Sequence, residues 1–473
     1  MLFNSYTFIV FFFAVLASYH LVRSWRARKV ILLAASYVFY AAWNPPFVVI
    51  LWISTVVDWL AARWIHTAPS ERRRRLLLAV SLATNFGLLG YFKYGTFILD
   101  NFLLLMRSLG WDLSLATPNI ILPVGISFYT FQTLSYTLDV YRRNAAPCDS
   151  FLDYALYVTF FPQLVAGPII RAPDFLPQCR QPKPFSGKAL GWGLCLMVLG
   201  LFEKIAIADG MLAPIAEAVY DTSAGLDFVS AWCGTFAFAG QIFLDFSGYS
   251  LCAVGAALCL GFDIQDNFRF PYAAVGLSDF WRRWHISLSS WLRDYLYIPL
   301  GGSRHGPFRT FASLMITMLL GGLWHGASWT FVIWGGLHGL YLVLERGLRK
   351  IIPWRSEQRS VLQIPAALLT FLLVCVAWVF FRADSFGKAF DVTASLFGLR
   401  SRDAGHLLPP ESIVMSLGIT VILLLVHWSM RETTIPQLVA RLPWWARSLA
   451  LAALLVGIVG LSGEDRAFLY FQF

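Results

Sequence analysis

Long apolar runs separated by short basic clusters constrain this chain more than any other feature. Such runs fall near 6–22, 30–43, 46–62, 76–94, 151–166, 189–208, 229–247, 308–324, 328–345, 361–381, 413–430 and 445–463. In a bilayer every backbone N–H and C=O must be satisfied within the protein, which leaves helices and closed barrels as the only spanning structures. The runs are too long and too poorly alternating for barrel strands. Only 14% of residues are charged, against about 25% in soluble domains. The chain therefore reads as an all-α, polytopic membrane protein, with one membrane-embedded domain over 1–473. Several runs fall short of the roughly 20 residues a straight span needs. They read as broken or re-entrant helices, tolerated where protein or a cavity surrounds them.

The net charge of +10 does not imply a nucleic-acid partner, because the basic residues sit in the loops that set membrane orientation. The opening run lacks a basic leader, and Arg23, Arg26, Arg28 and Lys29 follow it. It reads as a first helix starting outside, not as a cleaved signal. With 23–29, 72–75 and 346–359 on the cytoplasmic side, the last three runs lead out, back and out again. Both termini are then expected outside. Cys195, Cys252, Cys259 and Cys375 lie in apolar stretches without a CxxC pair, as small buried hydrophobes do.

Three stretches are too polar for their surroundings. Residues 271–304 interleave Asp279, Arg282, Arg283, His285, Arg293 and Asp294 with Trp281, Trp284 and Trp291. Wound as one helix, they place Arg282 and Arg293 on neighbouring faces and form a polar groove. An interfacial helix with aromatic and arginine anchors accounts for them equally. Residues 319–339 carry His325 and His338 among small residues. An ionisable group at membrane depth is a functional candidate by default, and imidazole suits acid–base work near neutral pH. A hydrogen-bonded core histidine is the plainer alternative. Residues 241–255 place Asp245 inside an apolar run, where it pairs an arginine or orients a histidine. No HExxH, Walker-type loop or GxSxG occurs, and the histidines lack metal-ligand spacing, so no metal is expected.

"DFWRRWHISLSSWLRDYLYIPLGG" followed by "GGLWHGASWTF" resembles the membrane-bound O-acyltransferase family. The resemblance is to its bacterial branch with the membrane subunit of alginate O-acetylation. "ILPVGISFYTFQTLSYTLDVYR", "FFPQLVAGPIIR" and "WVFFRADSF" extend the match in order along most of the chain. The resemblance implies a bacterial inner-membrane enzyme built as a ring of tilted helices around a central tunnel. It implies acetyl-CoA as cytosolic donor, with no bound cofactor. It implies His325 as the essential histidine and His285 as a second, less uniformly required one. Arg282, Arg283 and Arg293 become candidates for the donor phosphates, since arginine binds phosphate bidentately. Trp284, Asp294, Trp324 and Asp245 complete the candidate substrate-binding set. The branch leads us to expect an acidic residue after "DFSGYS"; Leu251 stands there, which weakens the claim for alginate itself as acceptor without touching the histidine motifs.

The chain ends "AFLYFQF", an apolar hook with one phenol. Phe468, Tyr470 and Phe473 resemble a Phe-any-Tyr-any-any-Phe pattern in members of the family or their small companions. That pattern implies that Tyr470 carries the acetyl group between His325 and an extracytoplasmic acetyltransferase partner. A tail packed only for stability or docking is the alternative. D-alanyl or other acyl transfer, a glycan or lipid transporter, and a non-catalytic scaffold are the competing functions. The absence of repeated halves counts against transport.

Overall fold

The structure, a computed structural model, describes residues 1–116, 118, 120–223, 225–351, 363–400, 405–461 and 466–469. All regular structure among them is helical, as the sequence predicts. Six helices are long and apolar enough to cross a membrane: Phe47–Thr67, Glu71–Ser108, Gly187–Tyr220, Phe228–Cys259, Ile364–Arg382 and Pro410–Met430. The protein is a multi-pass membrane protein. The longest, Glu71–Ser108, has 38 residues, ~57 Å at the α-helical rise. Its arginine-rich first turns therefore extend beyond a hydrocarbon core of about 30 Å.

Helix starts follow serine. Ser5, Ser24, Ser70 and Ser150 each accept a hydrogen bond from the amide three residues on, satisfying one of the donors that an initial turn leaves unpaired.

The chain forms two compact units. The first comprises 1–194 and 253–265. Helix Ile126–Tyr141, which the apolar runs do not include, packs there on Phe47–Thr67 and Glu71–Ser108. It is buried almost throughout, and several of its polar residues have internal partners. Thr133 donates to Asn85 Oδ1 at 3.3 Å, as Ser54 does at 2.6 Å. Asn85 in turn donates to Asp58 Oδ2 at 2.8 Å, and Ser81 donates to the other Asp58 oxygen. A buried carboxyl is tolerable only with such partners. Lys29 and Asp153 form a second buried pair in this unit.

The second unit comprises 195–252 and 266–473 and contains every candidate site residue among the described ones. Its core joins Phe280, Trp284, Trp334, Phe371, Trp378 and Phe381. Residues 271–304 are not the single helix considered from the sequence. Leu277–Arg283 ends at Trp284, Ile286–Leu292 begins anew, and Arg293–Tyr297 winds as a π-helix.

Candidate active site

His325 closes helix Gly306–His325, and after a short turn Trp329–Ile351 runs back along it. The hairpin is tight because glycines face each other across it. A Cβ on Gly322 would strike the Phe331 carbonyl oxygen, and one on Gly335 would strike that of Met318. Small residues at such a crossing let two membrane helices pack backbone to backbone. His325 is thereby held 3% exposed in an aromatic cage. Ring centroids lie at 4.9 Å from Trp334, 5.0 Å from Trp324 and 5.4 Å from Phe381.

His285 reaches the same place by interrupting a helix. Its backbone is left-handed, with φ +42° and ψ +57°, a conformation that costs a non-glycine residue roughly 1–2 kcal/mol. Hydrogen bonds on both sides hold it there: Arg269 N–H to Arg283 O and Ile286 N–H to Asn267 O, each 2.9 Å. The Asn267 side chain accepts from Ser287 Oγ at 2.6 Å and donates to Ser250 Oγ at 3.2 Å. Left-handed residues so over-determined by their surroundings cluster at functional sites. The fully buried His285 ring stands 6.4 Å from that of His325, 5.9 Å from Trp324 and 4.7 Å from Phe246.

The C-terminal segment enters this neighbourhood. Phe468 is buried, stacked on Tyr249 at 4.8 Å and tilted against Phe246 at 5.5 Å. Phe246 therefore touches both the tail and His285. The Leu469 amide donates to Asp245 Oδ2 at 2.9 Å, so Asp245 holds the tail's backbone. Its ionic partner is Lys204, where the sequence pointed to an arginine or a histidine. Tyr470 and Phe473 lie outside the described residues.

The remaining candidates divide between the core and the exposed surface. Trp284 is fully buried, stacked on Phe280 at 5.6 Å and tilted against Trp378 at 5.0 Å. Arg283 pairs with Asp279 at 3.0 Å and donates to Arg431 O at 3.0 Å. Arg431 completes the group on Asp279 Oδ2 at 2.9 Å. Arg293 is exposed and grips its neighbour Asp294 through two bonds of 2.7 and 3.2 Å. Arg282 is exposed as well. The site thus brings together His325, His285, Trp324 and, through Phe246, the tail and Asp245. Arg282, Arg283 and Arg293 do not join that cluster in any described contact.

Sequence reasoning passed over Lys204, Phe246, Asn267 and Trp334. Lys204 carried a legible signal, since a lysine within an apolar run needs a partner. The aromatic residues carried none, being common throughout the chain. His338, weighed beside His325, is fully buried, lies flat on Phe280 and meets Trp334 at 4.9 Å. Among the described residues its two ring nitrogens have no hydrogen-bond partner, nor do the indole nitrogens of Trp281, Trp334 and Trp378.

Residues 148–383 match the membrane-bound O-acyltransferase family. The chain is 40% identical to a probable alginate O-acetylase of Azotobacter vinelandii, over 84% of this chain and 78% of that protein. It is 36% identical to a probable alginate O-acetylase of Pseudomonas putida, with both chains covered in full. It is 33% identical to a peptidoglycan O-acetyltransferase of Helicobacter pylori, over 100% of this chain and 98% of that one. These similarities cover the chain from end to end, and with them the histidine site has its setting: the protein belongs to the membrane-bound O-acyltransferase family and is an O-acyltransferase.

Proposed function

We propose that the protein takes an acetyl group from cytosolic acetyl-CoA and delivers it across the bacterial inner membrane. The acceptor is an extracytoplasmic polysaccharide of alginate, cellulose or peptidoglycan type, reached through an acetyltransferase partner outside. In this reading both termini lie on the outer side. The observation that carries this reading is the meeting of His285 and His325, buried ring to ring, with the chain's own C-terminal segment one aromatic ring away. The names of the relatives support the acetyl group and the polysaccharide acceptor.

In this mechanism His325 takes the phenolic proton of Tyr470 as the oxygen attacks the thioester carbonyl. The tetrahedral intermediate collapses with cleavage of the C–S bond. The thiolate leaves with the proton from the imidazolium as CoA-SH, and the acetyl group remains on Tyr470 as an ester. Phenol, with a free pKa of about 10, is a better leaving group than a sugar hydroxyl, so the ester suits onward transfer. His285 fixes the position of the reacting groups beside His325. The aromatic cage excludes water that would hydrolyse the thioester. The buried indole N–H groups of Trp281, Trp334 and Trp378 supply donors that a substrate carbonyl or water can satisfy. Arg282 and Arg293, both exposed, remain candidates for the donor phosphates.

Release of free CoA, followed with purified protein in lipid nanodiscs, tests the donor. Acetyl-CoA is expected to be turned over in a His325-dependent way and at least tenfold faster than propionyl-CoA. Preference for a D-alanyl or longer-chain thioester would replace the acetyl assignment while leaving the site intact.

A further inference from the structure

We propose that the buried Lys204–Asp245 ion pair is a positioning clamp for the C-terminal segment, holding Phe468 and Leu469 beside Phe246, the ring that also meets His285. This inference rests on the tail-relay reading above.

The clamp arises from an unusual winding. Lys204 and Asp209 are five residues apart, and in an α-helix they would point about 140° away from each other. The segment Phe202–Leu212 is instead a π-helix, whose i to i+5 bonding brings such residues onto one side. Lys204 Nζ accordingly donates to Asp209 Oδ1 at 2.9 Å. Close helix approach supplies the second carboxylate. A Cβ on Gly200 would strike the Gly248 carbonyl oxygen, and one on Gly248 would strike that of Gly200. With the two helices this close, Lys204 also pairs with Asp245 Oδ1.

One lysine now holds two buried carboxyl groups, and the second Asp245 oxygen is left to accept from a further donor. The Leu469 amide is that donor, on the free side of the Asp245 carboxylate. The tail is fixed twice more, by Phe468 between Phe246 and Tyr249 and by an ion pair from Arg466 to Glu217. Even the ~2 Å rise per residue of the 3₁₀ conformation at Leu469 exceeds the roughly 1 Å tolerance of group transfer, so a slip of one residue at the clamp matters. Asp245 and Lys204 touch no reacting atom in this scheme. They are positioning residues.

The test uses the full-length protein in nanodiscs and two readouts. The first is hydrogen exchange of the amides in 466–473, which reports the clamp irrespective of chemistry. The second is the amount of acetyl delivered to the tail per CoA released, which falls when a mispositioned tail leaves the thioester to water. Asp245→Leu should speed exchange at Leu469 at least tenfold and lower delivery per CoA by about the same factor. Asp245→Asn, which keeps an acceptor oxygen, should retain most of both. Arg466→Gln, at the half-buried end of the segment, should give a smaller loss and serves if Asp245→Leu does not fold. Wild-type exchange in both Asp245→Leu and Arg466→Gln would overturn the clamp. Faster exchange with undiminished delivery would overturn its positioning role. Tyr470→Phe separates the two ideas: if it delivers acetyl normally to an acceptor, the relay falls, while the exchange data still decide the clamp.

Discussion

The rings of His285 and His325 stand 6.4 Å apart with planes inclined at 59°, and opposite constructions bring them there. His325 ends a helix of twenty residues, whereas His285 separates two helices of seven. One is placed by helix packing and the other by a backbone conformation that its residue type disfavours.

That difference predicts different responses to substitution. His325→Ala should lower acyl transfer by 10²–10⁴-fold, the span attributed to a lost general base, with the protein still folded. His285→Ala and His285→Gly should lose activity equally, since both remove the imidazole. The glycine variant should unfold at higher denaturant by about 1 kcal/mol, because glycine adopts the left-handed backbone freely. Paired denaturation curves check this.

The glycine contact behind His325 predicts a steric effect. Gly322→Ala would drive a methyl group into the Phe331 carbonyl, so the hairpin must open. A loss of 1–3 kcal/mol in stability is expected, as for other overpacked cores, together with a greater than tenfold loss of transfer. Gly347→Ala, on the other helix of the hairpin with open space around it, should change neither, and thermal unfolding with activity compares the two.

Arg283 and Arg293 should part company in an arginine-to-lysine series. Arg283 and Arg431 share the buried Asp279 carboxylate, and the Arg431 side chain is 1% exposed. Asp279→Leu would leave those guanidinium groups uncompensated and should cost roughly 3–5 kcal/mol. Arg283→Lys should likewise reduce stability more than it raises the donor KM. Arg293→Lys should leave stability near wild type, and a raised KM there would locate the donor phosphates.

Acid should release the 405–408 segment. Burial pushes the Asp227 carboxyl up, but hydrogen bonds from Ser230 side chain and amide, the Leu407 amide and His406 outweigh it and hold it below the usual carboxylate range. A carboxyl depressed in the folded state contributes stability above its unfolded pKa of about 3.9. That contribution is lost as pH falls through the folded value. Protection of the Leu407 and Leu408 amides, taken relative to their intrinsic exchange rates, should therefore fall below about pH 4, and Asp227→Asn should remove that fall.

The fold class is legible because long apolar runs admit little besides helices, and the histidines because the motif around them is specific. Ile126–Tyr141 escapes an apolar scan because Ser127, Thr130, Gln132, Thr133 and Ser135 dilute it, although they are buried. The break at His285 leaves no trace in residue types, since its conformation is imposed by Asn267 and Arg269 from a separate segment. Asp245 stands out in the sequence, but its partner Lys204 reaches it through the close approach of two helices at Gly200 and Gly248, which periodicity does not reveal. Part of the basic loop used for orientation, with Arg355 and Arg359, lies outside the described residues, as do Tyr470 and Phe473.

The most direct measurement is the intact mass of the C-terminal peptide after purified protein has been incubated with acetyl-CoA. The account predicts one added acetyl group on Tyr470, absent in His325→Ala. An unmodified tail, with CoA still released in a His325-dependent way, would contradict it and leave the C-terminal segment a structural element of the enzyme.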